Sequence, residues 1–170
     1  MADEPRIGRD LHKAPWLTAA LLRNHGLVDQ ARADGPLWRA ARAGEALADA
    51  LTPQVVRRLA GRGRLLEVLT ADAESLADID PLELRRLLGD APLTRFLDTR
   101  TESALRFFTV PGWRAAALGT PGFAGDLERL ARDPERFREL TEDPSGELLP
   151  AALAPARAVS TADGQAARAT

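Results

Sequence analysis

The side chains best equipped for chemistry are scarce in this 170-residue chain. Cysteine is absent, which removes disulfides, thiol nucleophiles, zinc–thiolate sites and iron–sulfur clusters together. The histidines are His12 and His25; a zinc site built from them with Asp29 would lack HExxH or any comparable spacing. Ser75, Ser103, Ser145 and Ser160 sit in polar or capping contexts, and none stands in the Gly-x-Ser-x-Gly elbow of an acyl-transfer nucleophile. Gly61-Arg62-Gly63-Arg64 is not preceded by a strand pattern, so it is neither a P-loop nor a dinucleotide fingerprint. The acidic stretch TADAESLADIDP (70–81) offers Asp72, Glu74, Asp78 and Asp80, but Leu76 and Ala77 interrupt it. It also lacks the glycine that a calcium loop needs for its sharp turn. Carboxylate pairs can serve as acid and base in glycoside hydrolysis, yet no spacing here singles out a pair. No catalytic residue, metal or cofactor is therefore expected. An enzyme would need a site assembled from scattered residues.

Two clusters remain. RRLAGRGRLL (57–66) places Arg57, Arg58, Arg62 and Arg64 within eight residues, around a turn with helix-turn-helix spacing. Arg62 and Arg64 would then contact phosphate, with Arg64 opening the recognition helix. That helix would read RLLEVLT, almost wholly apolar, with no side chain suited to base edges. A solvated loop whose arginines pair with nearby acids is the favoured expectation. The second cluster is aromatic. RFFTVPGWRAAALGTPGFAG carries Phe107, Phe108, Trp113 and Phe123, although aromatic residues make up 5% of the chain. Pro111 and Pro121 fit first helical positions, which puts Trp113 and Phe123 in first turns as packing anchors. Phe107 and Phe108 diverge by about 100° on a helix, so one of them is expected outside as a partner contact.

The elements that must carry these clusters are helical. Alanine, leucine, arginine and glutamate dominate and strand-length alternation is rare. Apolar residues recur at helical spacing in Leu37, Ala41, Leu47 and Leu51, then in Leu84, Leu87 and Leu88, then in Leu127 and Leu130. Thr52-Pro53, Asp80-Pro81, Thr120-Pro121, Asp133-Pro134 and Asp143-Pro144 read as helix caps followed by proline at the first helical position. Gly26, Gly61, Gly89 and Gly119 read as the matching stops, left-handed residues just past helix ends. These signals predict an all-α fold, a compact bundle of roughly seven to nine short helices, with one long segment over 36–51. Residues 1–10 are expected to be loose and 11–150 to form one helical domain, with a candidate hinge at 70–80. The alanine-rich stretch 151–170 is expected to be a disordered tail, since its small side chains cannot offset the entropy of ordering. No repeat of solenoid length stands out; VPGWRAAALG and TPGFAGDLER suggest two helices entered in the same way.

With 45% hydrophobic and 28% charged residues, the chain has the composition of a soluble globular protein. Its net charge of -2 gives no global basic field for nucleic acid. No stretch approaches the roughly 20 apolar residues of a membrane span. A soluble, cytoplasmic protein is expected, and the arginine and alanine bias suits a GC-rich bacterial genome. The functional expectation is a non-catalytic helical protein that binds another protein, as adaptor, accessory subunit or assembly component. Phe107, Phe108, Trp113 and Phe123 are the candidate contacts. A nucleic-acid-binding regulator using Arg57, Arg58, Arg62 and Arg64 is the further alternative beside a scattered-site enzyme.

Overall fold

The computed structural model describes residues 4–154, and among them it is all-helical with no strand. Among the described residues, thirteen α-helices of six to ten residues, one 3-10 turn and a last helical segment from residue 148 replace the expected seven to nine. In chain order they are α1 (Glu4–Lys13), α2 (Trp16–Arg23), α3 (Gly26–Ala33), α4 (Pro36–Ala43) and α5 (Glu45–Ala50). Then come α6 (Pro53–Leu59), α7 (Gly63–Ala71), the 3-10 turn Ala73–Leu76, α8 (Pro81–Gly89), α9 (Ala91–Thr99) and α10 (Thr101–Thr109). The remainder are α11 (Pro111–Gly119), α12 (Phe123–Leu130) and α13 (Pro134–Glu142). Two compact units divide at Thr109/Val110, and 70–80 lies within the first of them.

The count rises because several connections are a single residue that ends one helix and starts the next. Gly44, extended at φ -167, is both the C-cap of α4 and the N-cap of α5, and so breaks the expected 36–51 helix. Asp90 plays both parts between α8 and α9, its carboxylate accepting from Leu93 N–H at 3.0 Å. A shared cap leaves no room for a left-handed stop. Accordingly Gly26 starts α3, Gly89 and Gly119 end their helices without positive φ, and Gly61 alone of the four expected stops has it. His25 likewise caps the start of α3 and does not sit in a last turn.

Thr52, Asp80 and Asp133 cap α6, α8 and α13, each ahead of proline at the helix start, as their sequence predicts. Thr120-Pro121 does not behave this way. Phe123 N–H donates to Thr120 O at 3.2 Å, with Pro121 and left-handed Gly122 (φ 74, ψ 14) between them. That is a type II turn, so α12 begins two residues later than the proline suggests, and the two Pro-Gly-aromatic segments enter their helices differently.

Packing within the first unit is periodic. Residues 16–44, 45–80 and 81–109 each contribute three consecutive helices. Their first members form one row, α2 on α5 on α8, and their third members another, α4 on α7 on α10. Matching buried pairs recur: Leu17/Ala20, Leu47/Ala50 and Leu84/Leu87 in the first helices, at spacing three. The middle helices bury Leu27/Ala31, Val55/Leu59 and Leu93/Leu97 at spacing four, and the third helices Leu37/Ala41, Leu65/Leu69 and Ala104/Phe108. Each helix thus turns one stripe inward, which spacings of three and four demand. The unit is a short solenoid in which each repeat buries its apolar face on its neighbour. Polar groups tie the repeats: Asn24 donates to Leu51 O at 3.1 Å, and Asp98 of α9 accepts from Leu65 N–H at 3.0 Å.

The expected loose N-terminus is ordered from Glu4 as α1, which packs on α2 and α3. A buried carboxylate secures it. Asp10 accepts from Trp38 Nε1–H at 3.0 Å and from Arg42 at 3.1 Å, while Arg6 reaches the carbonyls of Ala31 and Arg32 at the end of α3. Arg6 also pairs with Asp34, a left-handed residue at φ 51. Burial works to raise the Asp10 carboxyl, but the bonds from Trp38 and Arg42 and the charges of Arg42 and Arg6 outweigh it and hold it below its ordinary value.

In the second unit α12 packs on α11 and α13. The same buried spacing of four returns in Trp113/Ala117, Phe123/Leu127 and Phe137/Thr141. A further helical segment follows over 148–154, burying Leu149 and Leu153, so the expected tail is ordered to residue 154. The rest of that expectation, 155–170, lies outside the described residues.

Two outcomes follow for stability. Asp80→Ala removes the acceptor for Leu82 and Glu83 N–H and should cost about 0.5–2 kcal/mol in urea unfolding; an unchanged midpoint would show that α8 does not need this cap. For Asp10, a depressed folded-state pKa means stabilisation present above about pH 4 and lost as pH falls through the folded value. The stability gap between the native chain and Asp10→Asn should be wide at pH 7 and close below pH 4. A gap that persists to lower pH would contradict the ionised role.

Candidate functional site

The four expected aromatic contacts are interior residues. Phe107, Phe108 and Trp113 are 0% exposed and Phe123 is 3% exposed. The divergence of Phe107 and Phe108 by about 100° does not expose either one. Their helix, α10, has α7, α9 and the 3-10 turn packed around it, so its buried face is wider than one stripe and includes Ser103 and Ala104. Phe107 and Phe108 belong to the first unit, Trp113 and Phe123 to the second.

Trp113 is held by a turn. Its Nε1–H donates to Gly146 O at 2.9 Å, and Gly146 is left-handed at φ 71. A Cβ on Gly146 would lie 2.6 Å from Val110 Cγ1, so this position requires glycine twice over, for conformation and for space. Asp143 organises the turn. Its carboxylate accepts from Ser145 Oγ at 2.7 Å and from the backbone N–H groups of Ser145, Glu147 and Leu148 at 3.0–3.1 Å. The Ser145 hydroxyl first, then those N–H groups, hold its carboxyl below the ordinary value against slight burial. Asp143 is thus a cap, as expected, but for the segment at 148–154; Pro144 occupies the intervening turn.

The arginine cluster is divided. Arg57, Arg58 and Arg64 are exposed and Arg62 is half-buried with its Nε unpartnered. None of the four pairs with a carboxylate among the described residues, contrary to the expected pairing with nearby acids. The candidate recognition helix, α7, packs against α4, α9 and α10 and buries Leu65, Leu66 and Leu69. Placing it in a DNA groove would require removing it from the centre of the solenoid.

A different surface gathers charge. A cavity of about 370 Å³ opens between α5, the 3-10 turn and the start of α8, lined by Ala46, Ala73, Ala77 and Ile79 together with Glu45, Asp49 and Glu74. A second of about 310 Å³ adjoins it, lined by Thr70, Asp72 and Ser75, and shares Ala43, Ala73 and Glu74 with the first. Together they form one trough. No lysine, arginine or histidine lines either part. Helices α4 and α7 end on it, at Ala43 and Ala71, while α5 and α8 start on it, at Glu45 and Pro81, so helix ends of both signs meet there. The carboxylates do not converge: among the described residues no three His, Cys, Asp or Glu could share a metal ion. Beside the trough, Asp49 pairs with Arg23, and its carbonyl accepts from Arg85 Nε–H at 3.0 Å, linking α2, α5 and α8. Leu22 and Leu82, next to this ladder in sequence, are 74% and 63% exposed.

The acidic run 70–80 was the sequence signal for this trough, through Asp72 and Glu74. Glu45 and Asp49 join it only because α5 of the second repeat packs against the 3-10 turn that closes that repeat. No helix among the described residues is long and apolar enough to cross a membrane. No protein-family model, curated protein or solved structure matches the chain.

Gly146→Ala should destabilise the chain by about 1–3 kcal/mol, through left-handed strain and contact with Val110. Trp113→Phe, which loses the donor to Gly146 and part of the buried ring volume, should cost about 1–3 kcal/mol. Equal stability of the alanine variant in urea unfolding would refute the assigned turn.

Proposed function

We propose that the chain is a helical-repeat scaffold that binds another protein, serving as an adaptor, accessory subunit or assembly component. The observation that carries this reading is the row α2–α5–α8, three helices presented side by side by stacked repeats. Stacked repeats create a continuous surface longer than any one of these helices could offer, which is the usual use of solenoid proteins. Along this row the Arg23–Asp49–Arg85 ladder fixes the helices relative to one another. Leu22 and Leu82 supply apolar area, and the trough lies at its side. Fixed backbone with exposed leucines beside charge is the makeup of a contact surface, an apolar centre with a polar rim. The four aromatic residues are interior and do not touch the partner.

The test is site-specific cross-linking in the source organism, with benzoylphenylalanine at position 22 or 82 and, as control, at exposed position 138 of α13. A discrete adduct from 22 and 82, absent from 138 and abolished by Leu22→Asp or Leu82→Asp at the other position, is expected. Both aspartate variants should keep native thermal midpoints, since these side chains are exposed. Adducts equal at all three positions, or none from 22 and 82, would remove this surface.

A further inference from the structure

We infer that the arginine ridge formed by α6, the α6–α7 turn and α9 is where the partner protein docks a carboxylate-rich segment. This rests on the scaffold reading and adds the chemistry of its partner. From α6 to the end of α7 the chain carries Arg57, Arg58, Arg62 and Arg64 against a single carboxylate, Glu67. A fifth arginine, Arg95, is exposed on α9, which packs against both α6 and α7. None of the five has an ion-pair partner among the described residues. Arg62 is half-buried, yet its guanidinium is bonded to nothing among the described residues. The carboxylates of these three helices are Glu67 and Asp98, and Asp98 is engaged as the acceptor for Leu65 N–H. The end of α6 and the start of α7 meet in the turn with opposite dipole signs, so the positive field is that of the side chains.

Repeat stacking orders the ridge. Val55/Leu59 and Leu93/Leu97 are equivalent buried pairs, and Arg57 and Arg95 each stand two residues after the first member. They therefore hold the same position on neighbouring packed helices, whose axes lie about 8–10 Å apart. Cations at that interval suit a run of acidic side chains better than one small anion, and guanidinium pairs with carboxylate through two parallel bonds. The turn beside them is open: a Cβ on Gly61 or Gly63 would meet nothing within 4 Å. A single-stranded nucleic acid would also seek rings on which to stack its bases. None is offered, since all five phenylalanines, Trp38 and Trp113 are buried and half-buried Trp16 gives its Nε1–H to Ala41 O. By contrast, the exposed arginines of α13, Arg136 and Arg138, stand beside Glu135 and Glu139, so that helix presents both signs. Helix α6 also packs on α8, which carries exposed Leu82 and joins the ridge to the row α2–α5–α8.

The probe is a hexa-glutamate peptide, titrated into the full chain and followed by the arginine Nε–H resonances. Saturable shifts at Arg57, Arg58, Arg62, Arg64 and Arg95 are expected. Arg57→Gln/Arg95→Gln should lower the affinity about three- to tenfold, the effect of losing two exposed charge pairs, at a native thermal midpoint. The control Arg136→Gln/Arg138→Gln on α13 should leave it unchanged. Shifts spread evenly over all exposed arginines, or equal weakening by the control, would overturn the proposal. Tighter binding of hexathymidylate at the same arginines would overturn it in favour of nucleic acid. A dimer seen by sedimentation and dissolved by Arg57→Glu/Arg58→Glu would overturn it in favour of a second copy. In the source organism, benzoylphenylalanine at exposed position 54 of α6 should capture the partner that positions 22 and 82 capture. If Arg57→Glu/Arg58→Glu leaves the adduct from position 82 undiminished, the ridge fails and the scaffold reading stands. If position 54 captures a partner while 22 and 82 yield nothing, the row α2–α5–α8 fails and the ridge stands. If none of the three positions captures a partner, both fail.

Discussion

Isolated helices shorter than about 12–15 residues are marginal in water, because each must meet the cost of its own nucleation. Every α-helix bounded within the described residues falls below that length, the longest having ten residues. Stability must therefore come from the stripes that the helices turn toward one another. Repetition makes this efficient. When α2, α5 and α8 carry equivalent inward pairs, the middle helix is covered on both sides by the same geometry, and the same holds for α7 between α4 and α10. Shared caps such as Gly44 and Asp90 follow from that tightness, since a one-residue connection returns the chain quickly enough to keep each repeat compact.

Buried polar groups then specify how the layers meet. Apolar stripes alone tolerate sliding, whereas a hydrogen-bonded carboxylate or amide accepts one arrangement. Asp10 reads both Trp38 and Arg42 of α4, so α1 covers the first repeat in a single orientation. Asn24 and Asp98 do the same between successive repeats, each meeting backbone groups that the short helices leave unpaired at their ends. In the second unit the Trp113 indole N–H and the Gly146 carbonyl satisfy one another in the interior, and Asp143 shapes the turn that brings them together.

The outer surface follows from the same stacking. Exposed arginines without carboxylate partners lie at the α6–α7 turn, while Glu45, Asp72 and Glu74, which have no ion-pair partner among the described residues, gather at the trough beside the Arg23–Asp49 pair. Their segregation on one unit leaves a field of local sign despite a net charge of only -2. Local sign of this kind governs which partners approach and in what orientation more than it governs how tightly they bind.

Helix chemistry was legible in the sequence wherever it is local. Asp80, Thr52 and Asp133 cap as their neighbours foretell, because a cap acts over three residues. Proline was ambiguous: it suits a helix start and the second position of a turn equally, and left-handed Gly122 decided Pro121 for the turn. The repeats were hidden because equivalent positions are filled by unequal side chains, as in Ala41, Leu69 and Phe108, and because the 3-10 insertion Ala73–Leu76 lengthens the middle repeat. Sequence alone determined helical class, the main caps and the lack of thiol chemistry. Tertiary structure decided that both phenylalanines are interior and that Glu45 and Glu74 share a trough, since burial and juxtaposition depend on neighbours distant along the chain.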